Sequence, residues 1–168
     1  RENGTIPPKF STFHIMCHNS EQTMSTRFQP FVTVAAIIEC RGKFLLVSEY
    51  DEAPDPVYGQ PAGHLEKQED LIEAVTREIK EETGLNLKPQ GLSGIYTYVK
   101  DYETIQRYCF YVVDDSLPEQ LTPEDPDHDI VSAAWYSRAE IEALEPHFRT
   151  RLVKSCFKDY WAGNRCSL

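Results

Sequence analysis

Residues 63–85 have the sequence GHLEKQEDLIEAVTREIKEETGL and contain the clearest helical pattern of the chain. Asp70 to Thr83 is predicted to form an amphipathic helix, because at about 100° per residue its apolar side chains fall on one stripe that should face the core. Gly84 directly follows and is a typical residue for ending a helix. The apolar stripe consists of Leu71, Ile72, Val75 and Ile79, and the solvent face of Glu73, Thr76 and Lys80.

Three glutamates of this helix lie where a stable helix would avoid them. At about 100° per residue, Glu78 and Glu82 border the apolar stripe and Glu81 lies on its flank. Like charges at this spacing repel, burial adds to the cost, and the C-terminal end of a helix disfavours anions. A hard divalent cation removes the conflict, since Mg²⁺ prefers carboxylate oxygens and keeps several waters. The alternative is a solvated acidic face with Arg77 as its ion-pair partner.

The loop before the helix is built for close contacts. Gln60 to His64 contains a proline followed by two small residues, Ala62 and Gly63. Such a turn lets a backbone carbonyl or amide approach a ligand closely, although a glycine here is also compatible with a simple turn.

The remaining chain predicts a mixed α/β domain, because strands are followed and interrupted by helices. Turn residues dominate residues 51–63, and the acidic, lysine-free and arginine-free stretch Asp114 to Asp129 is predicted to be a solvated loop. The predicted strands are Phe31 to Glu39, Phe44 to Glu49, Gly91 to Val99, Thr104 to Val113 and Ile130 to Tyr136. The predicted helices run from a cap at Ser137 to Ala143, and from His147 to Trp161.

Composition and charge argue against two classes of partner. The chain has 168 residues, enough for one domain, and a net charge of −10. A domain this acidic should repel a nucleic-acid backbone, and its apolar runs are far shorter than the roughly 20 residues that cross a bilayer. We therefore expect neither a nucleic acid polymer nor a membrane as partner. An anionic substrate would need bound cations or a local basic pocket to reverse this field.

The cysteines and the N-terminal segment give further expectations. The five cysteines are odd in number and include no C-x-x-C pair, so a zinc site or disulfide framework is not expected, and free thiols suit a reducing cytoplasm. Residues 1–27 are expected to be an extension, disordered or foreign to the domain, with Met24 as an alternative start. Residues 28–168 are expected to form the domain.

Residues 63–85 also match the Nudix box at every defined position. That pattern is glycine, five residues, glutamate, seven residues, then arginine-glutamate-aliphatic-any-glutamate-glutamate-any-glycine-aliphatic. The matching residues are Gly63, Glu69, Arg77, Glu78, Ile79, Glu81, Glu82, Gly84 and Leu85. Because all nine defined positions match at the spacing of the pattern, the sequence is identified as resembling the Nudix hydrolase family.

The resemblance implies an α/β/α sandwich with a mixed sheet, in which the box forms a loop–helix–loop. It implies Glu78 and Glu82 as the main ligands of Mg²⁺ or Mn²⁺, helped by Glu81 and the Gly63 carbonyl. Glu78 or Glu81 would be the general base, and crowded carboxylates should have raised pKa values in the absence of metal. Arg77, counted with the catalytic residues, and Glu69 would hold the box and orient the catalytic glutamate, and Glu69 and Gly84 would be structural residues of the box.

Other segments resemble one subgroup, the NudJ-type phosphatases, which act on nucleoside tri- and diphosphates and on thiamin-pathway pyrophosphates. These segments are F-x-P-x-V-T-V-A-A (residues 28–36), G-K-F-L-L-V-S-E (42–49) and Q-P-A-G-H-L-E (60–66). The resemblance implies a small-molecule phosphate anhydride as substrate, with a monophosphate and inorganic phosphate as products. The enzyme would be a monomer or a homodimer.

Two alternatives stay open at this stage. One is a Nudix enzyme that acts on dinucleotides such as diadenosine polyphosphates or ADP-ribose, and the other is a non-catalytic module that senses a nucleotide. The sequence also offers candidates for two minor roles. Substrate contacts could come from His64, Tyr58, Tyr96 or Tyr98, and a further metal ligand from Glu124, Asp127 or Asp129, although aromatic residues on a sheet face are commonly just packed there.

Overall fold

The computed structural model describes residues 28–50 and 54–168, so the expected extension of residues 1–27 lies outside the described residues. The strands are β1 (Phe31–Cys40), β2 (Lys43–Glu49), β3 (Val57–Gly59), β4 (Ala62–His64), β5 (Gly91–Lys100), β6 (Glu103–Val113), β7 (Ile130–Tyr136) and β8 (Cys166–Ser167). The helices are α1 (Leu71–Thr83), α2 (Arg138–Ala143) and α3 (Arg151–Trp161), and a 3-10 turn spans Glu145–His147.

The strands form one mixed sheet in the order β3-β2-β1-β6-β5-β8, with β4 paired to β1 and β7 paired to β2. Strands β1 and β6 are parallel, and the other pairs are antiparallel. Strand β1 changes partner along its length, because its first half pairs with β4 and its last two residues pair with β2. This change of partner brings β4 and the start of the box against the sheet.

Strand β1 is buried on both faces, which explains its nearly continuous apolar sequence. Successive side chains of a strand point to opposite faces, so Val34, Ala36 and Ile38 join one core cluster with α1. Ala35 and Ile37 join a second cluster with α3. A core on each side of the sheet confirms the predicted α/β/α sandwich.

Helix α1 begins and ends as the sequence predicts. The Asp70 side chain accepts hydrogen bonds from the amides of Ile72 and Glu73, and the Glu73 side chain accepts one from the Asp70 amide. This reciprocal capping satisfies amides that the first turn leaves without partners. Val75 and Ile79 of the apolar stripe are completely buried, whereas Leu71 and Ile72 are only partly buried.

Gly84 ends the helix in the left-handed region, with φ 75°, and its amide donates to Lys80 O at 2.7 Å. A side chain here would also collide with the carbonyl oxygen of Thr122. The loop of residues 114–129 is therefore packed directly against the end of α1. A hydrogen bond from the Glu124 amide to Glu81 O at 2.8 Å fixes it there.

The predicted helix from His147 to Trp161 is wrong over its first four residues. Residues 145–147 form the 3-10 turn, Phe148 is extended, and α3 starts only after Thr150, whose side chain accepts from the Leu152 amide. The physical reason is a long-range pairing, because Phe148 bridges to Tyr58 and the Arg149 amide donates to Tyr58 O at 2.9 Å. Because this pairing keeps residues 148 and 149 out of the helix, Arg149 lies close to the box.

The loop predicted over residues 51–63 contains β3 and the start of β4, and β8 is a strand that the sequence did not predict. In the part of the chain that the structure describes, no helix is long and apolar enough to cross a membrane.

Candidate active site

An acidic cavity of about 380 Å³ lies where α1, β4, the end of β2 and the loop before β7 meet. We call it the acidic cavity. Its charged lining residues are Glu49, Glu66, Glu78, Glu81, Glu82, Asp125, Asp127, Asp129, Arg77 and Arg149, and His64 also lines it. The structure therefore brings the three glutamates at the end of α1, Glu78, Glu81 and Glu82, into one space, together with acids from two segments outside the box.

Glycine at position 63 makes room for a carboxylate. A Cβ built on Gly63 would overlap the side-chain carboxylate of Glu78. Strand β4 is held in this place by pairing with β1, where Gly63 lies opposite Val34. The backbone of residue 63 and the Glu78 carboxylate therefore lie in direct contact.

Glu82 is a buried acid of the site. Its side chain is 8% exposed, and Oε2 accepts a hydrogen bond from the Ala62 amide at 2.9 Å. Burial raises the pKa of Glu82 well above its usual value, and the Ala62 amide and the nearby Arg149 oppose only part of this rise. Within residues 28–50 and 54–168, no cationic side chain lies within ion-pair distance of Glu82.

Arg77 joins the two ends of the box. Its Nη1 donates to Glu78 at 2.6 Å and to Glu81 at 3.1 Å, while Nη2 donates to Glu69 at 2.8 Å and to the His64 carbonyl at 3.0 Å. The hydrogen bond from Arg77 lowers the pKa of Glu69, and these carboxylates raise the pKa of Arg77. Arg77 thus ties the loop before α1 to the helix itself.

Glu78 experiences two opposing effects. Burial raises the pKa of Glu78, and the hydrogen bond from Arg77 opposes part of that rise. Arg77 is therefore the ion-pair partner of Glu78 and Glu81, as the alternative of a solvated acidic face expects. That alternative does not explain Glu82, which has no ion-pair partner among the described residues.

The donor set fits a hard divalent cation that keeps most of its waters. Among the described residues, no three His, Cys, Asp or Glu side chains converge closely enough to form a finished cation cage. Mg²⁺ is usually bound by only one or two carboxylates plus water and substrate phosphates. Glu78 and Glu82, both buried and both with raised pKa values, could supply those carboxylates.

The loop of residues 114–129, which we call the acidic loop, contains the three candidates for a further metal ligand. Asp127 and Asp129 line the acidic cavity, whereas Glu124 does not and instead pairs with Lys80 at 3.4 Å. Asp125, which the sequence analysis passed over, organises this turn because its side chain accepts from the amides of Asp127, Asp129 and Ile130. Its position in an Asp-Pro-Asp turn was the signal that could have identified it.

Glu49 and Arg149 were also missed. Glu49 Oε1 and Arg149 Nε form an ion pair at 2.5 Å beside the box. Glu49 ends a predicted strand, and Arg149 lies in the stretch wrongly predicted as helix, so neither position pointed to the site.

The four aromatic candidates for substrate contact lie in different places. His64 lines the acidic cavity and packs edge-on against Phe31, with ring centroids 6.1 Å apart. Tyr58 packs against Tyr136, and the Tyr96 hydroxyl donates to Asp159 of α3 at 3.0 Å. The Tyr98 ring lies under the Arg151 guanidinium at 4.1 Å. The structure brings His64, but none of the three tyrosines, to this cavity.

Comparisons with known proteins agree with this fold. A sequence model of the NUDIX domain matches residues 27–156. Phosphatase NudJ of Escherichia coli (strain K12) is 36% identical over 143 residues, which cover 84% of this chain and 90% of that protein. A NUDIX hydrolase from Nitrosomonas europaea superposes with a TM-score of 0.72 and 41% identity, over 83% of this chain and 94% of that chain.

A more distant structure shows the same fold. The bifunctional NMN adenylyltransferase/ADP ribose pyrophosphatase from Francisella tularensis, solved with AMP and a manganese ion, superposes with a TM-score of 0.59 at 21% identity, over 79% of this chain and 43% of that chain. With a family match over most of its length, a complete box and the expected sandwich, this chain belongs to the Nudix hydrolase family.

Proposed function

We propose that this protein hydrolyses a phosphate anhydride in nucleoside tri- or diphosphates, or in thiamin-pathway pyrophosphates, and releases inorganic phosphate with the help of Mg²⁺ or Mn²⁺. The observation that carries the proposal is Glu82, a buried carboxylate with no ion-pair partner among the described residues, next to Glu78 in the acidic cavity.

The argument for a cation is electrostatic. An ionised carboxylate that is buried without a counter-charge is strongly disfavoured, so such a group either takes up a proton or binds a cation. A resident divalent ion would let Glu78 and Glu82 stay ionised at neutral pH, and it would neutralise the phosphates and activate water for attack on phosphorus.

The residues of the site would have different roles in the reaction. Glu78 or Glu81 would accept the proton of the attacking water, and the raised pKa of Glu78 suits a base that works near neutral pH. Arg77 would hold both glutamates in place through its two hydrogen bonds to them. Asp127 and Asp129 also line the cavity and are candidates for a further ligand.

The phosphatase interpretation is supported by the relative whose length is matched almost completely, Phosphatase NudJ. The dinucleotide alternative has weaker support, because the ADP ribose pyrophosphatase neighbour is only 21% identical. A purely sensing module is disfavoured, since all nine defined positions of the box are intact. A cytoplasmic location would suit the free thiols at Cys40, Cys109, Cys156 and Cys166.

A substrate panel tests the proposal. Nucleoside tri- and diphosphates, thiamin-pathway pyrophosphates and dinucleotides would be assayed with Mg²⁺, with Mn²⁺ and with EDTA, and the products separated. Release of orthophosphate that needs the metal is the expected result. Cleavage of dinucleotides into two nucleotide halves would favour the alternative enzyme, and no turnover of any compound would favour a sensing module.

A pair of matched variants links the activity to the box. Glu82→Gln keeps the shape of the side chain and removes its charge, so turnover should fall about 100-fold or more with the fold intact. Glu103→Gln makes the same change at an exposed position of the β5–β6 hairpin and should leave turnover unchanged. Near-normal activity of the first variant would remove Glu82 from the mechanism.

A further inference from the structure

Arg107 is a buried cation beside Thr33. It lies on β6, its side chain is 7% exposed, and its Nε donates to Thr33 Oγ1 at 3.3 Å. In residues 28–50 and 54–168, no carboxylate lies within ion-pair distance of its guanidinium. Arginine is almost never buried unless it is paired, and a desolvated charge without a partner destabilises a protein.

The position of Arg107 connects it to the acidic cavity. Four residues on adjacent strands lie side by side across the sheet: Tyr96, Arg107, Thr33 and His64, on β5, β6, β1 and β4. Neighbouring strands are about 4.8 Å apart, so Arg107 is about 10 Å from His64, which lines the cavity.

Two charged residues of the cavity also act on Arg107. Burial lowers the pKa of Arg107, the nearby Arg149 guanidinium lowers it further, and the Glu82 carboxylate raises it. Arg149 and Glu82 both line the acidic cavity. Arg107 is therefore close enough to two residues of the cavity lining, Arg149 and Glu82, for their charges to shift its pKa.

Buried side chains of β6 and α3 close the space around Arg107 on one side. Cys109, the next residue of β6 on the same face, and Cys156 of α3 are both completely buried and belong to the same core cluster. On the β5 side, the hydrogen bond from Tyr96 to Asp159 joins the sheet to α3. An anion that reaches Arg107 from the cavity would find no way out beyond it.

We propose that Arg107, assisted by Arg149 and positioned by Thr33, forms an anion subsite that takes the terminal phosphoryl group of the substrate. This inference rests on the proposed function and narrows it to substrates whose phosphate chain ends in a free phosphoryl group. A planar guanidinium can bind two oxygens of one phosphoryl group at once. A phosphate that continues into a second nucleoside would not fit a closed subsite.

Phosphate binding tests the subsite directly. Inorganic orthophosphate would be titrated calorimetrically, in the presence of Mg²⁺, into the wild-type protein and two variants. Arg107→Met should weaken binding at least tenfold, and Arg107→Lys, which keeps the charge but loses the planar fork, should weaken it less. Arg138→Met removes an arginine from an exposed position on α2 and should bind phosphate like the wild type. Equal affinity in the wild type and Arg107→Met overturns the proposal.

Thermal stability separates a binding role from a structural one. Because the wild-type protein buries an unpaired charge, Arg107→Met should melt at the same temperature or higher, with a KM for the preferred diphosphate raised at least tenfold. A melting temperature several degrees lower would show that Arg107 holds the fold together and would overturn the proposal. If Arg107→Met does not fold, the phosphate titration of Arg107→Lys decides.

Substrate preference gives an independent test. The wild-type enzyme should turn over a nucleoside diphosphate at least tenfold more efficiently than a diadenosine polyphosphate, and Arg107→Met should narrow that ratio. Equal turnover of both substrates by the wild type overturns the closed subsite while leaving the proposed hydrolysis intact. If no substrate is turned over, the proposed function fails, and the phosphate titration still tests Arg107.

Discussion

The side chain of Glu78 occupies the space that any side chain at residue 63 would need, because a Cβ on Gly63 would overlap its carboxylate. The two residues are far apart in the box, yet pairing of β4 with β1 and the first turns of α1 bring them together. The glycine is therefore required for its lack of a side chain, and its φ is not in the left-handed region.

A substitution at Gly63 should consequently affect catalysis. Gly63→Ala must displace either Glu78 or β4, so we expect kcat to fall about 100-fold and stability to fall by about 1–3 kcal/mol. Gly59→Ala is a matched control in the preceding strand, where the nearest atom to a new Cβ lies at 3.7 Å, an ordinary contact. Kinetics and urea unfolding measure both effects, and equal behaviour of the two variants would disprove the close contact.

Gly84 should be needed for a different reason, since it combines a left-handed backbone with a close contact. Gly84→Ala would be strained by its φ of 75° and would also collide with the Thr122 carbonyl, so we expect a loss of about 2 kcal/mol or more. Gly163, with φ 85° and open space around it, isolates the backbone effect alone, about 1 kcal/mol. Urea unfolding compares them, and equal losses would mean that the acidic loop does not pack against the end of α1.

Arg77 should not tolerate lysine. Its guanidinium donates to Glu69, Glu78 and Glu81 together, and a lysine ammonium cannot reproduce this fork. We expect Arg77→Lys to lower kcat at least tenfold with little change in melting temperature. Arg138→Lys, on the exposed face of α2, is the control. Full activity of Arg77→Lys would show that positive charge alone is sufficient there.

The contribution of Glu82 to the stability of the metal-free protein should fall as the pH rises. Burial raises the pKa of Glu82 in the folded protein above the value of about 4.3 expected in the unfolded chain. The folded state therefore binds more protons, and the stability contributed by protonated Glu82 is complete below the unfolded pKa and is lost as the pH rises through the folded pKa.

Thermal melts in EDTA measure this effect. Glu82→Gln should melt a few degrees higher than the wild type at pH 8, and the two proteins should converge near pH 4. Glu103→Gln should follow the wild-type curve at every pH. A constant difference between Glu82→Gln and the wild type across this range would rule out titration of Glu82 as the cause.

Much of the site was predictable because it lies in one continuous helix. The end of the helix at Gly84 follows from residue type, and the apolar stripe and the placement of Glu78 and Glu82 beside it follow from helical periodicity within 23 residues. The family resemblance rests on the same stretch. Local sequence is informative here because neighbours in the chain are also neighbours in space.

The rest depends on contacts between distant segments. Arg149 reaches the box because Phe148 pairs with Tyr58, which a helical pattern over residues 147–161 cannot reveal. Arg107 belongs to an ordinary alternating strand, and its burial arises only when α3 covers that face. The tyrosines of β3 and β5 could not be assigned to a face from sequence, because the side of the sheet depends on register.

Binding of Mn²⁺, followed by electron paramagnetic resonance, tests the central claim most directly. If buried carboxylates of the box hold a divalent ion, the wild-type protein should take up Mn²⁺ that Mg²⁺ displaces, and Glu82→Gln should bind it at least tenfold more weakly, with Glu103→Gln unchanged. Equal binding by the wild type and Glu82→Gln would contradict this account.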